Sequence, residues 1–219
     1  VRVSRAFAFL DLCGFTSLTA VHGDEPAVSL LAEFRAVVRD VCSRRGVRIA
    51  KWLGDGAMLV GVEVPPVIAA ALEVESRLDA RASPLAIRAG LSCGDVILFE
   101  GDDYIGHAVN LAARICDVAG PHEVLAVPDV VAHVPPWVSC RDAGEREVPG
   151  LAQPLPLVEL GVRSAAAGRV TDPVCRMELP LEGVVVSRPG PDGAEVGFCS
   201  ESCAGTWEGR RRDRHAWEG

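Results

Sequence analysis

Residues 6–16 read Ala6-Phe7-Ala8-Phe9-Leu10-Asp11-Leu12-Cys13-Gly14-Phe15-Thr16, an apolar run that ends in a carboxylate with a glycine close behind it. A short apolar run bounded in this way predicts a buried strand, placed at residues 3–12. The glycine lets backbone come close to a ligand beside the negative charge of Asp11. Downstream, Ala27, Leu30, Leu31, Phe34, Val37, Val38 and Val41 recur every three or four positions. That is the period of a buried helix face, starting near Glu25 and closed by Gly46. Two short strands follow, Val47–Trp52 and Ala57–Val62, joined tightly through Gly54-Asp55-Gly56. Pro65-Pro66 opens a second helix to about Leu78, since proline is tolerated in a first turn. A strand at Leu85–Ser92, a Gly/Asp-rich segment and a third helix from His107 to Ala119 complete the pattern, with short strands and loops ending in Pro154–Leu160. The order strand–helix–strand–strand–helix–strand, with additions, predicts an α+β fold of the ferredoxin-like split type.

Composition narrows the function classes. The chain has 219 residues, 49% of them apolar and 24% charged, which is globular chemistry with room for one medium domain or two small ones. Thirty acidic residues against 22 basic ones give a net charge of -8, which argues against a nucleic-acid partner. The longest stretch free of Asp, Glu, Lys and Arg is Leu12–Gly23, short of the ~18–20 apolar residues a membrane-spanning helix needs. Cys13, Cys42, Cys93, Cys116 and Cys140 are scattered through apolar patterns and read as reduced, buried thiols. No signal-peptide pattern opens the sequence, so a cytoplasmic location is expected. Among the 22 basic residues only Lys51 is a lysine.

Three clusters carry the chemistry. Asp11 sits at a strand end and Asp55 at a hairpin tip, places that a split β-sheet can make neighbours. Two carboxylates so placed can hold a pair of divalent ions roughly 3.5–4 Å apart, clamping both oxygens of a phosphoryl displacement. Alternatively each is an ordinary turn-forming Asp. In the third cluster, residues 101–114, Asn110 and Arg114 lie four apart at the start of a helix and project from one face. An amide beside a cationic fork can orient a sugar and stabilise charge developing on phosphorus.

Taken together, the runs Phe9–Thr16, Lys51–Gly56 and Asp103–Arg114 resemble the catalytic domain of class III nucleotide cyclases, the adenylate and guanylate cyclase family, over roughly residues 3–161. The related diguanylate cyclases carry a Gly-Gly-Asp/Glu-Glu-Phe hairpin that is absent here. The resemblance implies that Asp11 and Asp55, with the backbone carbonyl of Leu12, ligate two Mg²⁺ or Mn²⁺ ions. These would activate the ribose 3′-hydroxyl and hold the triphosphate. It implies that Asn110 positions the ribose and that Arg114 stabilises the pentacoordinate phosphorus. Purine choice falls on Lys51 and Asp103: a lysine donating to ring N1 and an aspartate accepting from the 6-amino group suit ATP. In a chain that otherwise uses arginine, a lone lysine aimed at one ring nitrogen fits this role, because a planar guanidinium is a poor substitute. In the family the two residue sets come from different chains, so the expected partner is a second copy in a head-to-tail homodimer. Many members place a lysine against the triphosphate where this chain has Pro149, and Arg146 is the candidate replacement. The expected activity is conversion of ATP to 3′,5′-cyclic AMP and pyrophosphate. Metal binding to the C-terminal segment would tune that activity; the rival reading is a weakly active or non-catalytic nucleotide-binding and dimerisation module whose output is the C-terminal segment acting as a metal sensor or carrier.

After a small, polar linker at 163–169, about 50 residues remain, too few to bury a substantial core unaided. The expected division is therefore 1–162, linker, and 170–219. The last segment holds Cys175, Cys199 and Cys203 in a C-x₂₃-C-x₃-C spacing. Its Asp172-Pro173-Val174-Cys175-Arg176-Met177 opening and Phe198-Cys199-Ser200-Glu201-Ser202-Cys203 closing resemble the YHS domain, related to TRASH-like metal-binding modules. Three converging thiols can supply stability through a soft ion such as Zn²⁺ or Cu⁺, with Asp172 or His215 as a fourth ligand. Three reduced thiols packing a small core are the alternative.

Overall fold

The computed structural model describes residues 1–79, 85–101, 103–164, 168–191 and 193–217, the last five by backbone alone. The chain divides into two compact units, Val1–Val134 with Cys140–Gly161, and Pro135–Ser139 with Val162–Gly219. Of the expected linker, residues 165–167 lie outside the described residues, and Arg169 already belongs to a strand.

The chain runs β1 (Arg2–Leu12), α1 (Phe15–His22), α2 (Asp24–Arg45), β2 (Arg48–Leu53), β3 (Gly56–Gly61), α3 (Val64–Asp79), β4 (Ile87–Phe99), β5 (Asp103–Ile105), α4 (His107–Val118), β6 (Val124–Ala126), α5 (Pro128–Val131), β7 (Val138–Arg146) and β8 (Leu155–Val162). The sheet order is β2-β3-β1-β4-β6-β8-β7, with β5 added onto β4. Strand β1 is flanked by antiparallel β3 and β4, and β6 runs parallel to β4. The order β2-β3-β1-β4 is that of a split β-sheet.

Strand β1 is buried on both faces, which is why its central residues are apolar without alternation. Phe7, Met58, Val60 and Val96 pack with Ala108, Val109 and Ala112 of α4. Helices α2 and α3 contribute Phe34, Val37, Val38, Val41, Ile68, Leu72 and Val74 to the buried apolar core. Between these two helices the fully buried Glu73 is ion-paired to Arg45 at 2.6 Å and to Arg44 at 2.5 Å. Removing Glu73 would take the ion pair from the buried Arg45, whereas loss of one arginine leaves the carboxylate paired with the other. Helix α4 lies directly on β4 at Gly90, where a Cβ would meet the Cys116 nitrogen at 2.2 Å.

Two features depart from the sequence pattern. Residues Phe15–His22 form a helix with no buried residue, so no apolar stripe announces it. Strand β4 continues through Ser92-Cys93-Gly94 to Phe99 because pairing with β1, as far as Arg2 opposite Ile97, carries it past the polar interruption.

The second unit pairs β9 (Arg169–Thr171) with β10 (Glu178–Pro180) and β11 (Val186–Pro189) with β12 (Glu195–Phe198), followed by α6 (Glu201–Trp217). Its buried residues include Val174, Met177, Leu179, Phe198 and Ala204. Trp137, from a loop that the sequence assigns to residues 1–162, is fully buried in this unit and donates its indole N–H to the Cys199 carbonyl at 3.0 Å. A small core is enlarged by one indole from far away in the sequence. Among the described residues no helix is long and apolar enough to cross a membrane.

Candidate active site

Register brings the two carboxylates together. Asp11 lies opposite Gly56 in the β1–β3 ladder, so the neighbouring hairpin residue Asp55 stands beside it. Gly56 is needed there, since a Cβ would lie 2.7 Å from the Leu10 carbonyl oxygen. Asp11, Leu12 and Asp55 line one cavity of about 410 Å³, together with Gly14, Phe15 and Thr16 at the start of α1. The backbone N–H groups opening a helix make such a place favourable for an anion.

Arg88, which the sequence reading does not single out, also lines this cavity. It faces Asp11 across the β1–β4 ladder and donates to one carboxylate oxygen from Nη2 at 2.7 Å and from Nε at 3.0 Å. Its remaining nitrogen reaches the Asp117 carbonyl at 2.9 Å. The available signal is an arginine inside the apolar run Ile87-Arg88-Ala89-Gly90-Leu91. Cys13, in the same cavity, has its pKa raised by burial, which outweighs the pull of Arg88, so the thiol stays protonated beside the carboxylates.

Lys51 on β2 and Asp103 on β5 meet, Nζ to Oδ1 at 2.8 Å, with side chains 47% and 40% exposed. The lysine holds the Asp103 carboxyl below its ordinary range, and the Tyr104 N–H adds to this. Tyr104 anchors β5 against the sheet by packing edge-on to Phe7 at 5.5 Å. Asn110 and Arg114 stand exposed on α4. The Arg114 guanidinium donates to the Pro149 carbonyl and covers Gly150. The residue found where the family's lysine is expected therefore holds the arginine through its backbone. None of Lys51, Asp103, Asn110 and Arg114 lines the Asp11–Asp55 cavity.

Arg146 is engaged elsewhere. Both terminal nitrogens reach Glu123 at 2.7 Å, and one also reaches the Val118 carbonyl at 3.1 Å. Arg146 in turn lowers the Glu123 carboxyl. Arg146 does not line the Asp11–Asp55 cavity, where the cation is Arg88.

In the second unit Asp172, Cys175, Cys199 and Cys203 are all buried, with their ligand atoms within 4.8 Å of one another. The Cys199 sulfur lies 3.6 Å from each of the other two. Hydrogen bonds from Cys175 and Cys199 draw the Cys203 pKa below its ordinary value. Asp172 accepts backbone N–H groups from Val174, Cys175 and Cys199, at 2.8, 3.2 and 2.8 Å, and so ties the two cysteine loops together. Three thiols and a carboxylate are a donor set suited to a soft or borderline ion. The side chain of His215, the other candidate ligand, lies outside the described residues.

Comparison with known proteins places the fold. The adenylyl cyclase CyaB of P. aeruginosa superposes with a TM-score of 0.65 at 25% identity, over 77% of this chain and 98% of that one. The guanylate cyclase domain of RhGC from Catenaria anguillulae, solved with GTP, gives 0.66 at 17% identity, over 75% of this chain and all of the other. The first unit has the nucleotide cyclase fold. In sequence, the chain is 38% identical over 135 residues to a Mycobacterium tuberculosis protein named only as uncharacterized, covering 62% of this chain and 35% of the relative. It is 32% identical over 123 residues to a pH-sensitive adenylate cyclase of the same organism, covering 56% of this chain and 30% of that protein. These relatives support the cyclase family for the first unit, and the chain spans about a third of their length. No family model matches the chain.

Proposed function

We propose that two copies of this chain form an adenylate cyclase, converting ATP to 3′,5′-cyclic AMP and pyrophosphate at sites shared between them, with the second unit holding a soft metal ion that tunes activity. The observation that carries the reading is the separation of two residue sets. Asp11 and Asp55 open onto one cavity, while Lys51, Asp103, Asn110 and Arg114 stand outside it and exposed in part or whole. A head-to-tail second copy brings one set to the other. Ile97, Phe99 and Ile105, which share a face of the β4–β5 hairpin, are 46%, 46% and 51% exposed and offer apolar surface for that copy.

Two carboxylates and the Leu12 carbonyl beside one cavity fit a pair of divalent ions. Asp11 and Asp55 would hold Mg²⁺ or Mn²⁺ there, which would supply Lewis-acid activation of the 3′-hydroxyl and charge neutralisation of the triphosphate. The chain's own residues do the rest. Lys51 donates to adenine N1 and Asp103 accepts from the 6-amino group, each exchanging its exposed partner for the base. Asn110 orients the ribose for in-line attack on the α-phosphorus. Arg114 leaves the Pro149 carbonyl for the transition-state oxygens, and Arg88 with the first N–H groups of α1 receives the phosphates that depart. The rival reading, a nucleotide-binding and dimerisation module with little turnover, is favoured by Pro149 and by its hold on Arg114. Incubating purified protein with ATP or GTP and Mn²⁺ separates the two. Cyclic AMP from wild type and none from Asp55→Ala is the expected result, and no cyclic nucleotide above that variant rejects the enzyme.

The thiol cluster makes its own prediction. Zn²⁺ or Cu⁺ should protect Cys175, Cys199 and Cys203 from alkylation while the exposed Cys140 labels as before. Unchanged labelling of all four would return the cluster to a packed, metal-free core.

A further inference from the structure

Asp55 sits between two glycines at the hairpin tip, and the fold requires both. Gly54 takes φ +66°, a left-handed conformation that disfavours other residues, and Gly56 makes room for the Leu10 carbonyl. A carboxylate flanked by two glycines is poorly fixed by its own backbone, yet a metal ligand must be held to within about 0.5 Å to work. Something outside the hairpin has to hold it.

Resting on the cyclase reading above, we propose that Arg35 of α2 is a positioning residue for the divalent-ion site. Its Nη2 donates to the Gly54 carbonyl at 3.0 Å. That carbonyl belongs to the peptide joining Gly54 to Asp55, so the bond fixes the plane from which the Asp55 backbone starts. The guanidinium is steadied by lying 5.0 Å over the indole of Trp52, two residues before Gly54, and Trp52 packs edge-on to Phe34 of the same helix. A planar fork can stack and donate at once, which an ammonium cannot. The Arg35 Nε is buried and finds no acceptor among the described residues. This uncompensated desolvation would be avoided by an apolar residue serving only to pack on Trp52.

Arg39 is the built-in comparison. It lies one turn along α2 and stacks on the same indole at 5.2 Å, whereas the bond to Gly54 is made by Arg35. Mn²⁺ binding to the full chain, read as the loss of free-ion paramagnetic resonance signal beyond that caused by a non-reactive methylene analogue of ATP alone, tests the assignment without turnover. Arg35→Gln should weaken Mn²⁺ binding on the order of 10-fold, the usual effect of losing an outer support of a metal ligand, with Arg39→Gln within about two-fold of wild type. Arg35→Met, which keeps a stem against Trp52 but has no donor, should match Arg35→Gln and serves if the latter does not fold. Wild-type Mn²⁺ affinity in both Arg35 variants would overturn the proposal, as would an equal loss in Arg39→Gln. Mn²⁺ binding that Asp55→Ala leaves unchanged would instead sink the cyclase reading, and this inference with it.

Discussion

Replacing Arg114 with alanine is expected to lower kcat for cyclic AMP formation on the order of 10³-fold while leaving KM for ATP nearly unchanged, as for other arginines that act only on the transferring phosphoryl group. The side chain is exposed, and its partner in the free chain is a backbone carbonyl, so it is placed to be released when substrate arrives. Its helix is held by the close approach of α4 to Gly90, which fixes the arginine's origin on the sheet. Loss of an exposed side chain with one backbone bond should change stability by no more than about 0.5 kcal/mol. Arg114→Lys should recover little, because one ammonium cannot span two oxygens as the fork does. Activity within ten-fold of wild type in Arg114→Ala, with melting unchanged, would remove Arg114 from the chemistry.

Much of the fold is written locally. Strand β1, the Gly54-Asp55 hairpin and helix α4 each combine an apolar run or period with a stop signal, and these are the elements that carry the candidate site. Helix α1 is not legible in this way: Phe15–His22 buries nothing, and glycines stand at both ends without a side-chain cap. The length of β4 is set by its partner β1 rather than by its own alternation. Trp137 is harder still, since its indole is satisfied by the carbonyl of Cys199, 62 positions away, a pairing that no periodicity announces.

The same division runs through the site. Asp11 and Asp55 can be suspected as neighbours because a hairpin tip beside a strand end is a simple consequence of antiparallel order. Arg88 cannot, because its approach to Asp11 depends on the register of two strands separated by 77 positions. Arg146 shows the converse. Nearness in sequence to the position of the missing lysine suggests a phosphate contact, whereas the structure pairs its two terminal nitrogens with Glu123, a partner that no local signal announces. Lys51 and Asp103, named for two neighbouring atoms on one edge of the base, meet each other directly at 2.8 Å.

The central claim is that catalysis needs two chains, and the second large effect follows from it. Asp11→Ala removes a carboxylate from the cavity, and Asn110→Ala removes the ribose contact from the other set. Each homodimer of either variant then has two damaged sites, and each alone should lose activity at least ~10²-fold. A heterodimer of the two places both lesions in one site and leaves the other intact. Random exchange makes half of the dimers mixed, so unfolding and refolding the variants together should restore about a quarter of wild-type activity at equal concentrations. Cyclic AMP formation in that mixture is the decisive measurement. Recovery to about that level is the result expected of shared sites, and a mixture no more active than its separate components would contradict them.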